Sequence, residues 1–183
     1  MDKFEYEGEN YYFHKGQFYD ETFMSVEKTL ADKLAQNYFS ATDYTSLSSE
    51  KLIEYIKSVK DAGQVLPAKN ACVYGLEKFA YDRGFVGAAL PMLTSVLRQT
   101  GSPREAVEAG KKYLKLLGGK AASVPFYTSL AAAFCDLGDY ASAKKCADCA
   151  YRMQGGGKGY ATELSLVYRR LKNESGGACD GED

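Results

Sequence analysis

Hydrophobic residues change their spacing twice along this chain. Near the N-terminus aromatic side chains alternate with polar ones: Phe4 and Tyr6, then Tyr11, Tyr12 and Phe13, then Phe18 and Tyr19. Gly8-Glu9-Asn10 and His14-Lys15-Gly16-Gln17 stand between these groups as turn formers. Period-two alternation broken by such turns predicts an antiparallel ribbon of two or three short strands. A ribbon that small is marginal alone and needs a surface to pack on. From Ser25 to Phe39 the period lengthens, with Val26, Leu30, Leu34 and Tyr38 spaced by four, which predicts an amphipathic helix. Ser40 to Ser49 is a Ser/Thr-rich connector, and Ser48 or Ser49 is placed to cap the helix that follows.

Beyond the connector the chain repeats itself. Gly63, Gly101 and Gly138 lie 38 and 37 residues apart, and each is followed five residues later by an alanine: Ala68, Ala106 and Ala143. An amphipathic stretch precedes each glycine, with apolar positions that align: Leu52/Ile56/Val59, Leu90/Leu93/Leu97 and Tyr127/Leu130/Phe134. Another such stretch follows each glycine. A period of this size predicts helix-turn-helix units that bury their apolar faces by stacking on one another. Glycine accepts the backbone angles of a tight turn, and the alanine lets paired helices approach closely.

The third unit carries the clearest pattern: Tyr127-x2-Leu130-Ala131-x2-Phe134, then Gly138-x-Tyr140, then Ala143-x3-Ala147-x2-Ala150. It resembles a tetratricopeptide (TPR) unit with Tyr in place of the usual leading Trp. The units around Gly101 and Gly63 match it progressively less well. Tyr160 to Leu171 resembles a final first helix, with Leu164, Ser165 and Tyr168 in register 34 residues after Leu130, Ala131 and Phe134. The spacing is longer than the family's, and no proline closes a unit. The resemblance implies a mainly α fold: a TPR-like α-solenoid of about three helix-turn-helix repeats plus a final capping helix, preceded by a small N-terminal antiparallel β-ribbon. Residues 1–48 would form the ribbon and a helix cap, 49–172 the repeats, and 173–183 (NESGGACDGED) a disordered acidic tail.

Charge adds a segregation that the net value of −1 conceals. Residues 1–48 hold four Lys/Arg against nine Asp/Glu (−5), residues 49–173 nineteen against eleven (+8), and the last ten residues four acids and no base (−4). Such asymmetry bears on partners rather than on fold. A hydrophobic content of 45% supports a core and excludes wholesale disorder. Apolar runs such as Leu130 to Cys135 are too short to cross a bilayer. The opening MDKFEYEGEN shows no signal-peptide pattern, and five cysteines without framework spacing add to the expectation of a reducing, cytoplasmic setting.

Candidate chemistry is sparse. A nucleophile-and-base pair needs a histidine, and the lone His14 sits at an expected hairpin turn, far in sequence from every cysteine. Cys146-x2-Cys149 has the spacing of half a zinc site, and Cys135 on the partner helix would be a third ligand. Within helices, small-residue packing accounts for all three more simply. Leu117-Gly118-Gly119-Lys120 and Gly155-Gly156-Gly157-Lys158-Gly159 lack the first glycine and the hydroxyl of a phosphate loop, and read as helix stops. Asp136 and Asp139 flank the Gly138 turn, where turn chemistry explains them. The expectation is a protein with no catalytic residues, no metal and no cofactor.

The TPR resemblance implies that the first helix of each pair lines a concave groove. On the side opposite the packing positions stand Lys57 and Lys60, then Ser95, Arg98 and Gln99, then Thr128, Ala132, Cys135 and Asp136, then Leu166, Arg169 and Arg170. Five cations against one acid predict a basic groove for a protein or acidic peptide, with Lys57, Lys60, Ser95, Arg98, Gln99, Thr128, Arg169 and Arg170 as contacts. Nucleic acid is the alternative, with Tyr55, Tyr168 and Arg169 offering stacking and phosphate contacts, although a pI near 6.0 fits it poorly. The acidic tail could fold back on the groove. The aromatic ribbon either caps the array or docks a partner, and exposed array ends would permit a homodimer.

Overall fold

The computed structural model describes residues 1–118, 122–155 and 162–176, which fall into two compact units, Met1–Lys78 and Phe79–Asp183. The helical pair that follows residue 48 falls in the first of these units, together with the ribbon.

In the first unit β1 (Asp2–Tyr6), β2 (Glu9–His14) and β3 (Gln17–Tyr19) form an antiparallel sheet in chain order. Both connections are two-residue turns with two successive positive φ angles: Glu7 (+52°) and Gly8 (+85°), then Lys15 (+48°) and Gly16 (+83°). That is the type I′ geometry whose twist matches paired strands. Glycine belongs at its second position, so Gly8 ends the first turn, and Glu9 and Asn10, expected in the turn, instead pair with Tyr6 and Glu5. One sheet face is buried through Tyr11, Phe13 and Phe18.

Helix α1 (Lys28–Ala41) starts three residues later than the spacing predicts. Ser25 bridges to Tyr19, and the Val26 amide donates to the Phe18 carbonyl at 3.1 Å, so this stretch extends the ribbon. The helix buries Leu34, Ala35 and Phe39. Phe13 meets Phe18, Tyr38 and Phe39 at ring separations of 4.8, 5.0 and 5.3 Å. Phe39 continues the chain of rings to Tyr55 at 5.8 Å. Tyr55 lies on α2 (Ser49–Asp61), which Ser48 caps by accepting from the Lys51 amide. A 3-10 turn at Tyr44–Ser46 is held to α3 (Val65–Lys78), where Tyr74 Oη and Lys78 Nζ both donate to the Thr45 carbonyl, at 2.8 and 2.7 Å.

The second unit comprises α4 (Arg83–Gln99), α5 (Pro103–Leu117), α6 (Val124–Asp136), α7 (Tyr140–Met153) and α8 (Thr162–Gly176). Helix α6 is central, packed against α4, α5, α7 and α8. Small side chains make this possible: Ala131, Ala133, Ala143, Ala147 and Ala150 are fully buried. A Cβ on Gly110 of α5 would stand 2.9 Å from Leu130 Cδ1 of α6.

One turn recurs three times, between α2 and α3, α4 and α5, and α6 and α7. Gly63, Gly101 and Gly138 have φ of +73°, +73° and +74°. Each glycine amide donates three residues back, to Lys60, Arg98 or Cys135. The next amide, of Gln64, Ser102 or Asp139, donates five residues back, to Val59, Leu97 or Phe134. This pair of bonds closes a helix end around a left-handed glycine. The alanines five residues on, Ala68, Ala106 and Ala143, are fully buried.

Helix α8 runs four residues into the segment read as an acidic tail, and residues 177–183 lie outside the described residues. Gly118 (φ +57°) and Gly155 (φ +79°) are left-handed where α5 and α7 end, as a helix stop requires. Gly119, Lys120 and Gly156–Gly159 lie outside the described residues. No helix among the described residues is long and apolar enough to cross a membrane.

Candidate functional site

Three of the thiols sit where burial disfavours their ionised form. Burial pushes the Cys72 thiol up to about 12, against the pull of the Lys60 charge. Burial, helped by Cys149 and Asp139, pushes Cys146 up to about 11, and burial also raises Cys135. Thiols so raised stay protonated near neutral pH and make poor nucleophiles. His14 ends β2 opposite Gln17. Among the described residues no three His, Cys, Asp or Glu side chains group as metal ligands.

The second unit contains a cavity of about 360 Å³ lined from α4, α6 and α8. Arg98 comes from α4, Thr128 and Ala132 from α6, and Glu163, Leu166, Val167, Arg169, Arg170 and Asn173 from α8. Its volume falls at the low end for ligand-sized pockets, roughly 300–1,000 Å³. Ala132 and Val167 are buried, while Leu166 is 48% exposed, so the lining is partly apolar.

Beside this pocket Asp136, the last residue of α6, joins two of its arginines. Arg98 Nε donates to Asp136 Oδ2 at 2.5 Å, and Arg170 Nη1 donates to Oδ1 at 2.7 Å. Partial burial works to raise the Asp136 carboxyl, but the hydrogen bonds and charges of the two arginines outweigh it and hold the carboxyl below its usual value. The triad therefore ties α4, α6 and α8 together. It also spends much of the charge of Arg98 and Arg170 internally. Arg169 is exposed and has no hydrogen-bond or ion-pair partner among the described residues. Glu163, also exposed, brings an acid to the lining.

Four of the expected contact residues, Arg98, Thr128, Arg169 and Arg170, thus line one cavity. Thr128 is only 2% exposed, and its hydroxyl donates to the Val124 carbonyl at 2.8 Å within its own helix. Ala132 and Cys135, expected on the same open face of α6, are buried too, because α6 has neighbours on every side. Ser95 is half-buried and Gln99 exposed on α4, and neither enters the lining. Lys57 is exposed and Lys60 half-buried on α2, in the other unit.

Asp136, like Asp139, flanks the Gly138 turn and is expected from its position to serve turn chemistry. That role belongs to Asp139, whose Oδ1 caps α7 by accepting from the Ser142 amide at 3.0 Å. The spacing gives a hint of the triad and no more: Asp136 follows Arg98 by 38 residues and precedes Arg170 by 34, near the period expected from the sequence. Glu163, Val167 and Asn173 carried no comparable signal. The chain matches no protein-family model and no curated protein in sequence.

Proposed function

We propose that this protein is a non-catalytic, cytoplasmic adaptor built from TPR-like repeats, and that it holds an acidic protein or peptide at the pocket between α4, α6 and α8. The observation that carries this reading is the convergence of Arg98, Arg169 and Arg170 from two separate helices on one partly apolar cavity. The thrice-repeated glycine turn and the central packing of α6 support the repeat reading. Arg169 makes the first contact, since its planar guanidinium can meet a carboxylate with two hydrogen bonds. Leu166, Val167 and Ala132 receive an apolar neighbour of that acid. Glu163 and Asp136 limit the surplus positive charge, which favours one or two carboxylates over a polyanion such as nucleic acid.

The test is a tagged pull-down read by mass spectrometry, with and without nuclease, comparing wild type, Arg169→Glu and Lys57→Glu/Lys60→Glu. The reading expects one protein lost with Arg169→Glu, retained with the lysine pair reversed, and indifferent to nuclease. Loss of every partner after nuclease would replace it with the nucleic-acid reading.

A further inference from the structure

The loop after β3 offers two large apolar side chains to solvent on a rigid frame. Phe23 is 58% exposed and Met24 66% exposed. Phe23 has φ +61°, a left-handed conformation that a bulky residue adopts only when its surroundings impose it. Asp20 imposes it here. Its Oδ1 accepts from the Thr22 amide at 2.9 Å, the Thr22 hydroxyl at 2.7 Å and the Met24 amide at 3.0 Å. Its own amide donates to the Met24 carbonyl, and its carbonyl accepts from the Phe23 amide, both at 3.0 Å. The Tyr19–Ser25 bridge closes the loop at its base, and the Tyr12 ring lies tilted against Phe23 at 4.9 Å. Folding alone gains little from holding Phe23 in a costly conformation while leaving it mostly in water.

The surroundings say what kind of surface this knuckle would meet. Residues 1–27 hold two lysines against seven acids, and Glu21, held by Asn10 Nδ2 at 2.7 Å, stands within the knuckle itself. Its complement is an apolar pocket rimmed by cations. The second unit of the same chain carries a partly apolar cavity whose lining has three arginines to one acid, Glu163, with the 48%-exposed Leu166 and with Arg169, which has no partner among the described residues. We propose that the Asp20–Met24 knuckle is an assembly element, with Phe23 and Met24 of one copy entering the arginine-rimmed pocket of a second copy and Glu21 meeting Arg169. The assignment rests on the reading of that pocket as the site for an acidic partner, and it names a second copy of this chain as that partner. Knuckle and pocket are different surfaces, so the contact is heterologous.

Sedimentation velocity on the full chain, from dilute solution up to about 100 µM, where a micromolar contact is filled, tests this. Wild type should associate as concentration rises and dissociate as salt screens the ionic part. Phe23→Gly/Met24→Ser keeps a residue suited to the left-handed backbone, and Arg169→Glu alters an exposed side chain, so both should melt as wild type does. Each variant alone should bind itself about tenfold or more weakly, as loss of a buried aromatic anchor or its charge partner does. Mixed together they should form a one-to-one heterodimer, because one retains the pocket and the other the knuckle. Self-association by either variant at wild-type strength, or failure of the mixture to associate, overturns the proposal. A wild type that stays monomeric while an acidic peptide still binds in an Arg169-dependent way overturns it too, yet leaves the pocket reading standing. If no acidic peptide binds either, both fall.

Discussion

The two units close their tightest seams with different materials. The first is built on rings: Phe13, Phe18, Tyr38, Phe39 and Tyr55 touch in an unbroken chain from the ribbon through α1 to α2. The second also buries large anchors such as Phe85 and Phe126, but its closest helix seams are made of small residues: alanines fill the seams of α6 and α7, and Gly110 lets Leu130 press against α5. Rings fill the irregular space between a sheet and a helix, where few regular contacts form. Alanine and glycine suit regular helix layers, where axes approach closely and each added methylene is felt. The ring cluster of the first unit should therefore be most sensitive to losing volume, and the alanine seams of the second to gaining it.

Removing a ring from the first unit should have the largest effect. Phe13→Ala should cost about 3–5 kcal/mol by urea unfolding, through lost transfer energy and the cavity left behind. In the second unit the damaging change is enlargement: Ala147→Leu should cost about 1–3 kcal/mol, since its site is fully closed. If Phe13→Ala proved mild and Ala147→Leu neutral, the contrast would collapse. The turns cut across both units, and Gly63→Ala, Gly101→Ala and Gly138→Ala should each cost about 1–2 kcal/mol for the left-handed backbone. Nothing lies within 4 Å of an added Cβ at any of the three, so a similar cost at all would isolate the backbone term.

The smallest effect is electrostatic. The Asp136 carboxyl is lowered in the fold, so its stabilisation is present above its unfolded value, about 3.9, and is lost as pH falls through the lowered folded value. Asp136→Asn should therefore destabilise by under about 1 kcal/mol near neutrality, given partly exposed partners, and the difference from wild type should vanish in acid. Thermal melts of both proteins across acidic pH would show this convergence or its absence.

Local chemistry made most of the fold legible. Alternating aromatics gave away the ribbon, and the Gly-x4-Ala spacing located three turns whose backbone angles then proved nearly identical. Where the expectations slipped, pairing across the chain was responsible. The start of α1 was displaced because Ser25 and Val26 bond to β3, and spacing within the helix cannot report that. The open face expected for α6 closed because four helices surround it, which removed the hydroxyl of Thr128 from solvent. The charges expected along a groove were countable in the sequence, but their pairing was not. That Asp136 takes up Arg98 and Arg170 while Arg169 has no partner among the described residues depends on how α4, α6 and α8 align.

That charge division is also where the account is most exposed to test. The decisive measurement is the affinity of a fluorescein-labelled peptide of alternating glutamate and leucine, read by anisotropy, for wild type, Arg169→Glu and Asp136→Asn. The account predicts opposite signs: Arg169→Glu weakens binding by about tenfold, whereas Asp136→Asn tightens it by releasing two arginines, even as it lowers the melting temperature. Equal affinity in all three, or weakening by both substitutions, would contradict it.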